Sequence, residues 1–353
     1  IFLEKLLIFI PAKEKKMIPI IDFHDKNAEQ QMYDAYTTCG FAVFTHTHDS
    51  WLSEFADWGQ IVKEYFALPT EVKLKNGYSG VIDNVGYSGI EDERLTPYMP
   101  GDLKECYNWV SPDRMQEKYW PTDIPEFKPM AQKIERITRM IAHEFLYKFE
   151  NIFKLPHGTL VEKHIDGSST MRLIHYPVWE NDNVKENQIR GGEHTDYGSL
   201  TLLWRFDDPG GLQVQDRQTD EWIDAPYIEN SLVLNVADMF ARWSNDILKS
   251  SNHRIINTDL TKPRYTMPFF LDPGRDVMIE NFTDQPSIYP PIKSYDYLKW
   301  RLSLSYDPTI RRGDGTYGDD YAEDLDIRKE GFQHLPFASP DRLVLSRLEI
   351  DKK

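Results

Sequence analysis

Cysteine is almost missing from this chain: Cys39 and Cys106 are the only two in 353 residues. That excludes a disulfide scaffold and makes a reducing, cytoplasmic setting the simpler expectation. Basic charge is also short, with 41 Lys and Arg against 57 Asp and Glu and a formal charge of -16. A general nucleic-acid binder needs clustered cations for phosphate, so that class is set aside. One or two buried arginines can still reverse the potential locally for a small anion. Long apolar runs are absent too. The first eleven residues are apolar but interrupted by Glu4 and Lys5, and no window reaches the roughly 18 apolar residues of a membrane span. No membrane or nucleic-acid partner is expected, and a monomer acting on a small molecule is.

What is present is an ordinary globular composition, 40% hydrophobic and 13% aromatic, long enough to bury a sizeable core. The chain starts at Ile1. Residues 1–16 read as a non-native or unstructured leader, either a targeting remnant or frame upstream of a start at Met17. The second is favoured because ordered-looking sequence begins immediately afterwards.

Residues 18–23 and 40–44 read as short strands, and 27–39 and 49–66 as helices, the latter ending before Pro69. Residues 73–100 are rich in Gly, Asn, Asp and Ser and read as loop with short strands. Residues 129–153 give the clearest helical periodicity. Past Ser168 the period shortens, with β-like runs at 171–176, 199–205, 212–215, 231–236, 253–257 and 265–271, followed by a late helix at 294–304. Evenly spaced short strands divided by turns such as Asp207-Asp-Pro-Gly-Gly211 fit a double-sheet jelly roll. The expected class is mainly β with flanking helices: a double-stranded β-helix core at 166–275 and an N-terminal α/β region at 17–130. A long helix and linker at 131–165 join them, and a C-terminal helix with a polar extension occupies 276–353.

Gly191-Gly-Glu-His194-Thr-Asp196-Tyr-Gly198 sets a His and an Asp two residues apart. In extended chain, i and i+2 face the same way, so both can reach one ion. His253, after the run at 232–236, is the natural third ligand. Two histidines and a carboxylate leave three octahedral positions open, which suits iron(II) that must bind a bidentate cosubstrate and then dioxygen. The plainer readings are a turn-capping His194, an Asp196 that accepts backbone N–H groups and a buried His253, and zinc accepts the same set. Arg264 and Thr266 then stand at i and i+2 in the next β-like run, offering a guanidinium fork and a hydroxyl to one carboxylate. The alternative is that Arg264 pairs with a surface acid.

Taken together, these residues resemble the isopenicillin N synthase-like group of 2-oxoglutarate/iron(II) dioxygenases. The likeness runs through Ile18-Pro-Ile-Ile-Asp22, Phe66-Ala-Leu-Pro69, Asp102-Leu-Lys-Glu105, Met171-Arg-Leu-Ile-His-Tyr-Pro177, the His194 block, Gly210-Gly-Leu-Gln-Val214, Asn235-Val-Ala-Asp238, His253-Arg254 and Arg264 to Phe270. It implies iron at His194, Asp196 and His253, and 2-oxoglutarate with its distal carboxylate on Arg264 and Thr266, where Thr replaces the group's Ser. It also implies Tyr176 beside the cosubstrate, dioxygen as oxidant and ascorbate as an accessory reductant. Ile174 stands where many plant relatives carry Asn, removing one contact to the cosubstrate's other end.

The expected reaction couples 2-oxoglutarate decarboxylation, giving succinate and CO2, to hydroxylation, desaturation or ring closure of a small molecule that can carry a carboxylate. The alternatives are an iron oxidase of the same fold that needs no 2-oxoglutarate, and a silent ligand-binding member. For substrate contacts, Arg172, four residues before Tyr176 on one strand face, leads. Tyr107, Lys104 and Tyr87 follow, each with an ordinary structural reading: core packing for the tyrosines and an ion pair for Lys104.

Overall fold

The structure, a computed structural model, describes residues 17–306 except 81, 82, 94, 96–99, 113 and 166–168, with backbone alone at 300 and 302–306. The expected leader at 1–16 and the polar extension past 306 lie outside the described residues.

The chain opens with β1 (Ile20–Asp22), α1 (Ala28–Thr38), β2 (Phe41–Thr45), α2 (Leu52–Ala67) and α3 (Thr70–Lys73). Then come β3 (Gly86–Ser88), β4 (Glu105–Val110), α4 (Phe127–Phe153) and α5 (Thr159–Glu162). Strands β5 (Thr170–Tyr176), β6 (Gly191–His194), β7 (Leu200–Asp207), β8 (Leu212–Gln215), β9 (Trp222–Asp224) and β10 (Leu232–Val236) follow. The rest is α6 (Asp238–Trp243), β11 (His253–Ile255), β12 (Arg264–Leu271), β13 (Met278–Ile279), β14 (Ile292–Lys293) and α7 (Ser294–Tyr306).

An eight-stranded sheet in the order β1-β2-β10-β7-β12-β5-β4-β3 packs with a four-stranded sheet, β6-β11-β8-β9. The larger sheet is buried on both faces, and residue parity sorts its side chains. Ala42, Phe44, Leu232, Leu234, Met171, Leu173, Met267 and Phe269 enter the main core with α1, α2 and α4. Their neighbours Phe41, Val43, Val233 and Tyr176 turn inward and pack with Leu212, Val214 and Ile255 of the smaller sheet. Burial on both sides explains why β2, β4 and β10 are buried along their length instead of alternating with solvent.

Helix α4 presents Ile134, Thr138, Ile141, Phe145 and Phe149 to the larger sheet at three- and four-residue steps. It begins at Phe127, two residues before the sequence expectation. Pro129 falls in its first turn, where a missing N–H breaks no intrahelical bond. The expected helix at 49–66 begins as a 3-10 turn (Asp49–Trp51) before α2. Strand β4 went unrecognised in the sequence, and it forms a wall of the functional cleft. Among the described residues, no helix is long and apolar enough to cross a membrane.

Candidate metal centre and substrate cleft

Strands β6 and β11 run antiparallel, with His253 directly opposite His194. Asp196 lies two residues past the end of β6. One ligand atom from each of His194, Asp196 and His253 falls within 4.8 Å of the others. Asp196 Oδ1 is 3.6 Å from His194 Nε2 and 3.7 Å from His253 Nε2.

The surroundings orient all three. His194 Nδ1 lies 2.8 Å from Gly192 O, and His253 Nδ1 lies 3.3 Å from Ser251 O. A carbonyl can only accept, so Nδ1 carries the hydrogen in each ring and Nε2 turns its lone pair toward the centre. Asp196 Oδ2 accepts from Thr201 Oγ1 at 2.6 Å and Asn235 Nδ2 at 2.8 Å, leaving Oδ1 to face the histidines. Burial, then the nearby His253, pushes the His194 imidazole well below its ordinary range, so it stays neutral, as a ligand must. Burial would favour a neutral Asp196, but His253, His194 and the two hydrogen bonds hold its carboxyl below the usual value. Gly198 lets this segment pass close to the end of β12: a Cβ there would meet Asp272 Oδ1 at 2.1 Å.

On β12, Arg264 pairs in register with Tyr176 and Thr266 with Ile174. The Arg264 guanidinium stacks over the Tyr176 ring at 4.8 Å. Its acid partner is a buried one, not the surface acid weighed from the sequence: Nε donates to Asp208 Oδ1 at 2.7 Å and Nη2 to Oδ2 at 3.5 Å. Arg205 shares that carboxylate at 3.4 Å. Buried Arg190 donates from Nη2 to Lys262 O at 2.8 Å, while its Nε and Nη1 have no partner among the described residues, and neither does Thr266 Oγ1. Arg264 and Arg205 share one buried carboxylate and Arg190 lies within electrostatic reach of both Arg264 and Asp208, so that with an orphaned hydroxyl and orphaned N–H groups they make a cradle suited to an anion. Sequence reading missed Arg190, Arg205 and Asp208. The only available signal was the clustering of Arg205 and Asp208 around a turn read as mere punctuation.

A cleft opens beside His194 and Asp196 and is lined further by Tyr176, Arg172, Lys104 and Tyr197. Arg172, Ile174 and Tyr176 all reach it, as i, i+2 and i+4 of β5 should. Lys104 is there as well, in the ion pair its plainer reading anticipated, with Asp102 Oδ2 at 2.7 Å. The structure places Tyr107 and Tyr87 elsewhere. On β4 the parity that turns Asn108 to the cleft turns Tyr107 to the helices, where it packs against Tyr65 and Phe127 and donates to Tyr119 O at 2.8 Å. Tyr87 donates to Glu105 Oε2 at 2.5 Å, in a buried group with Lys73 and His175. Asn84, Asn108, Tyr197 and Leu298 line the cleft without having been singled out in the sequence. Tyr197 adjoins Asp196, the one cue on offer.

The 2OG-Fe(II) oxygenase superfamily profile matches residues 167–273, and that of the non-haem dioxygenase in morphine synthesis N-terminal region matches 18–130. The 2-oxoglutarate-dependent dioxygenase citB of Monascus ruber is 33% identical over 234 residues, covering 60% of this chain and 69% of that protein. The proline hydroxylase buaE of Petromyces alliaceus is 28% identical over 301 residues, covering 78% and 93%. Among solved structures, a full-length Neurospora crassa protein in complex with alpha-KG superposes with a TM-score of 0.73 at 29% identity, covering 83% of this chain and 98% of that one. The same Neurospora protein has been solved with thymine.

The chain therefore belongs to the 2OG-Fe(II) oxygenase superfamily. Within it, this protein is an iron(II)- and 2-oxoglutarate-dependent dioxygenase that acts on a small molecule with dioxygen. The double-stranded β-helix core expected from the sequence is the fold of these structural neighbours. Nothing in the comparisons supports an iron oxidase independent of 2-oxoglutarate, nor a silent binding protein.

Proposed function

We propose that His194, Asp196 and His253 hold the iron, that Arg264, Thr266 and Tyr176 hold 2-oxoglutarate, and that the substrate lies against Arg172 and Lys104. The observation that carries this is the convergence of two in-register histidines, each oriented by a main-chain carbonyl, on Asp196 Oδ1. When bound, iron(II) supplies dioxygen activation while 2-oxoglutarate is oxidatively decarboxylated to succinate and CO2. The chain's own residues orient and desolvate. Thr201 and Asn235 fix the Asp196 carboxylate. Arg264 and the unpartnered Thr266 hydroxyl grip the distal carboxylate at the far end of β12, and the Tyr176 ring backs the guanidinium. Ile174 and Phe270 keep the intervening wall apolar. Hydroxylation, desaturation and ring closure all fit this arrangement, and thymine and proline, named with the relatives, are small molecules of the class proposed here.

A monomer working in the cytoplasm belongs to the same reading, and the burial of both cysteines outside any disulfide supports the reducing compartment. The test is succinate formation by iron(II)-loaded protein given 2-oxoglutarate. Wild type forms it, and His194→Ala and Arg264→Ala do not. Equal succinate from all three would overturn the assignment of these residues.

A further inference from the structure

The charge balance of the cleft wall carries an inference about the substrate, and it rests on the reading that this cleft receives it. Two cations face the cleft, Lys104 just before β4 and Arg172 on β5, and each already has its anion. Lys104 Nζ donates to Asp102 Oδ2 at 2.7 Å and lies 3.6 Å from Glu93 Oε2. Arg172 donates from Nη2 to Glu93 Oε1. All four side chains are buried, and two positive charges stand against two negative. An incoming carboxylate would have to share Arg172 with Glu93, or push that acid back onto Lys104 alone, in a buried network whose charges already balance. Asp272 adds another acidic group to the same cleft, its Oδ1 without a partner among the described residues. An ammonium fares no better at this network, because Asp102 and Glu93 are already matched by Lys104 and Arg172.

The polar groups beside this network are neutral amides. Asn108 stands next to Arg172 in the β4–β5 register. Its Nδ2 donates to Asn84 Oδ1 at 3.1 Å, and that same oxygen accepts from Tyr78 Oη at 2.9 Å. Asn108 Oδ1 is left buried with no partner among the described residues. A buried acceptor of this kind calls for a donor on the ligand. An aliphatic amine would be protonated at neutral pH, so among uncharged N–H donors the amide is the simplest that fits.

We propose that the substrate enters this cleft uncharged, as a small amide or lactam whose N–H is received by Asn108 Oδ1. This replaces the carboxylate-bearing substrate that a lone Arg172 suggests from the sequence. Glu93 acts as the selectivity element, because it neutralises the cation a carboxylate would seek.

The experiment uses the full chain loaded anaerobically with iron(II) and 2-oxoglutarate. The visible charge-transfer absorbance of that complex first checks the underlying reading. Size-matched 2-pyrrolidinone, cyclopentanecarboxylate and cyclopentanol are then titrated, following the absorbance and the heat of binding. The lactam is expected to bind roughly tenfold or more tighter than the other two. Asn108→Leu abolishes that preference while the charge-transfer absorbance persists. Glu93→Gln brings a gain in carboxylate affinity, and Asn108→Leu stands as an independent arm if burial makes Glu93→Gln fold poorly. Tighter binding of the carboxylate or alcohol to wild type, an unaltered preference in Asn108→Leu, or silence from all three probes on a formed complex overturns the proposal. Failure of the charge-transfer absorbance to appear is a different result: it overturns the assignment of the centre, and this inference with it.

Discussion

Arg264 and Asp208 form a buried pair, Nε to Oδ1 at 2.7 Å, and Arg205 leans on the same carboxylate at 3.4 Å. Asp208 thus neutralises only part of the positive charge gathered where the cosubstrate's distal carboxylate is proposed to bind. Removing its charge by Asp208→Asn leaves two buried guanidiniums without a counter-ion and costs about 3 kcal/mol of stability. 2-Oxoglutarate then supplies the missing charge, so it raises the Tm of the iron-loaded variant more than that of wild type. Thermal melts with and without cosubstrate check this, and an equal increment would refute it.

Thr266 separates stability from binding. Its Oγ1 is buried with no partner among the described residues, so Thr266→Val is neutral or mildly stabilising in the cosubstrate-free protein. The same change removes a hydrogen bond to a charged carboxylate and weakens 2-oxoglutarate by roughly tenfold or more. Thr266→Ser keeps the affinity. Titration calorimetry alongside urea denaturation reads both sides, and a Val variant with unchanged affinity would remove Thr266 from the site.

Asn235 and Thr201 never touch the ion in the proposed centre, yet they aim Asp196. Asn235→Leu is expected to lower iron(II) affinity by roughly 10- to 100-fold, as outer hydrogen-bond partners of metal ligands commonly do. A competition titration with a metal-binding dye measures it, with folding followed by circular dichroism.

Arg301 ties α7 to the segment that carries Asp196. Nη1 donates to Asp238 Oδ2 at 2.5 Å, Nη2 to Thr195 Oγ1 at 3.1 Å, and the guanidinium covers the Tyr197 ring at 4.3 Å. Thr195 and Tyr197 flank Asp196. Arg301→Lys keeps a charge for Asp238 but cannot make all three contacts. The expected result is altered Co(II) absorption and weaker Co(II) binding well below the melting temperature. A lowered Tm with an unchanged spectrum would reduce Arg301 to an anchor for the helix.

His164 sets a pH response. Burial lowers its pKa to about 4, with Nδ1 donating to Leu160 O at 2.6 Å and Nε2 accepting from Ser199 Oγ at 2.8 Å. The unfolded chain takes up this proton near pH 6.5, so the stabilising contribution is complete above that value and is lost as pH falls toward about 4. His48, lowered to about 4 by burial, acts in the same direction. Asp272 opposes them, because burial raises its carboxyl to about 7. Comparison with His164→Gln isolates the first effect: between neutral and mildly acid pH, wild type loses more stability in urea than the variant. A parallel loss in both would contradict it.

Much of this was legible one strand at a time. The i, i+2 spacing of His194 and Asp196 and that of Arg264 and Thr266 follow from the two-residue period of extended chain, and the strand at 212–215 matches β8. Long helical periodicity located α4 to within two residues at its start. The weaker readings came where one residue type serves both faces of a strand. Tyr107 and Asn108 are neighbours on a strand buried from end to end, and composition does not say which of them faces the cleft.

The sequence by itself therefore determined the class of chemistry, because metal ligation and carboxylate binding depend on residue type and on local spacing that the backbone period dictates. Tertiary structure alone decided the environment of those residues. It set His253 opposite His194 in a second sheet, brought Asp208 and Arg205 to Arg264, and matched Lys104 and Arg172 with Asp102 and Glu93. The physical reason is that pairing across strands far apart in the chain is specified by register and by burial on both faces of a sheet. Neither has a local signature, and the partner that neutralises a buried charge is found only once the chain has closed around it.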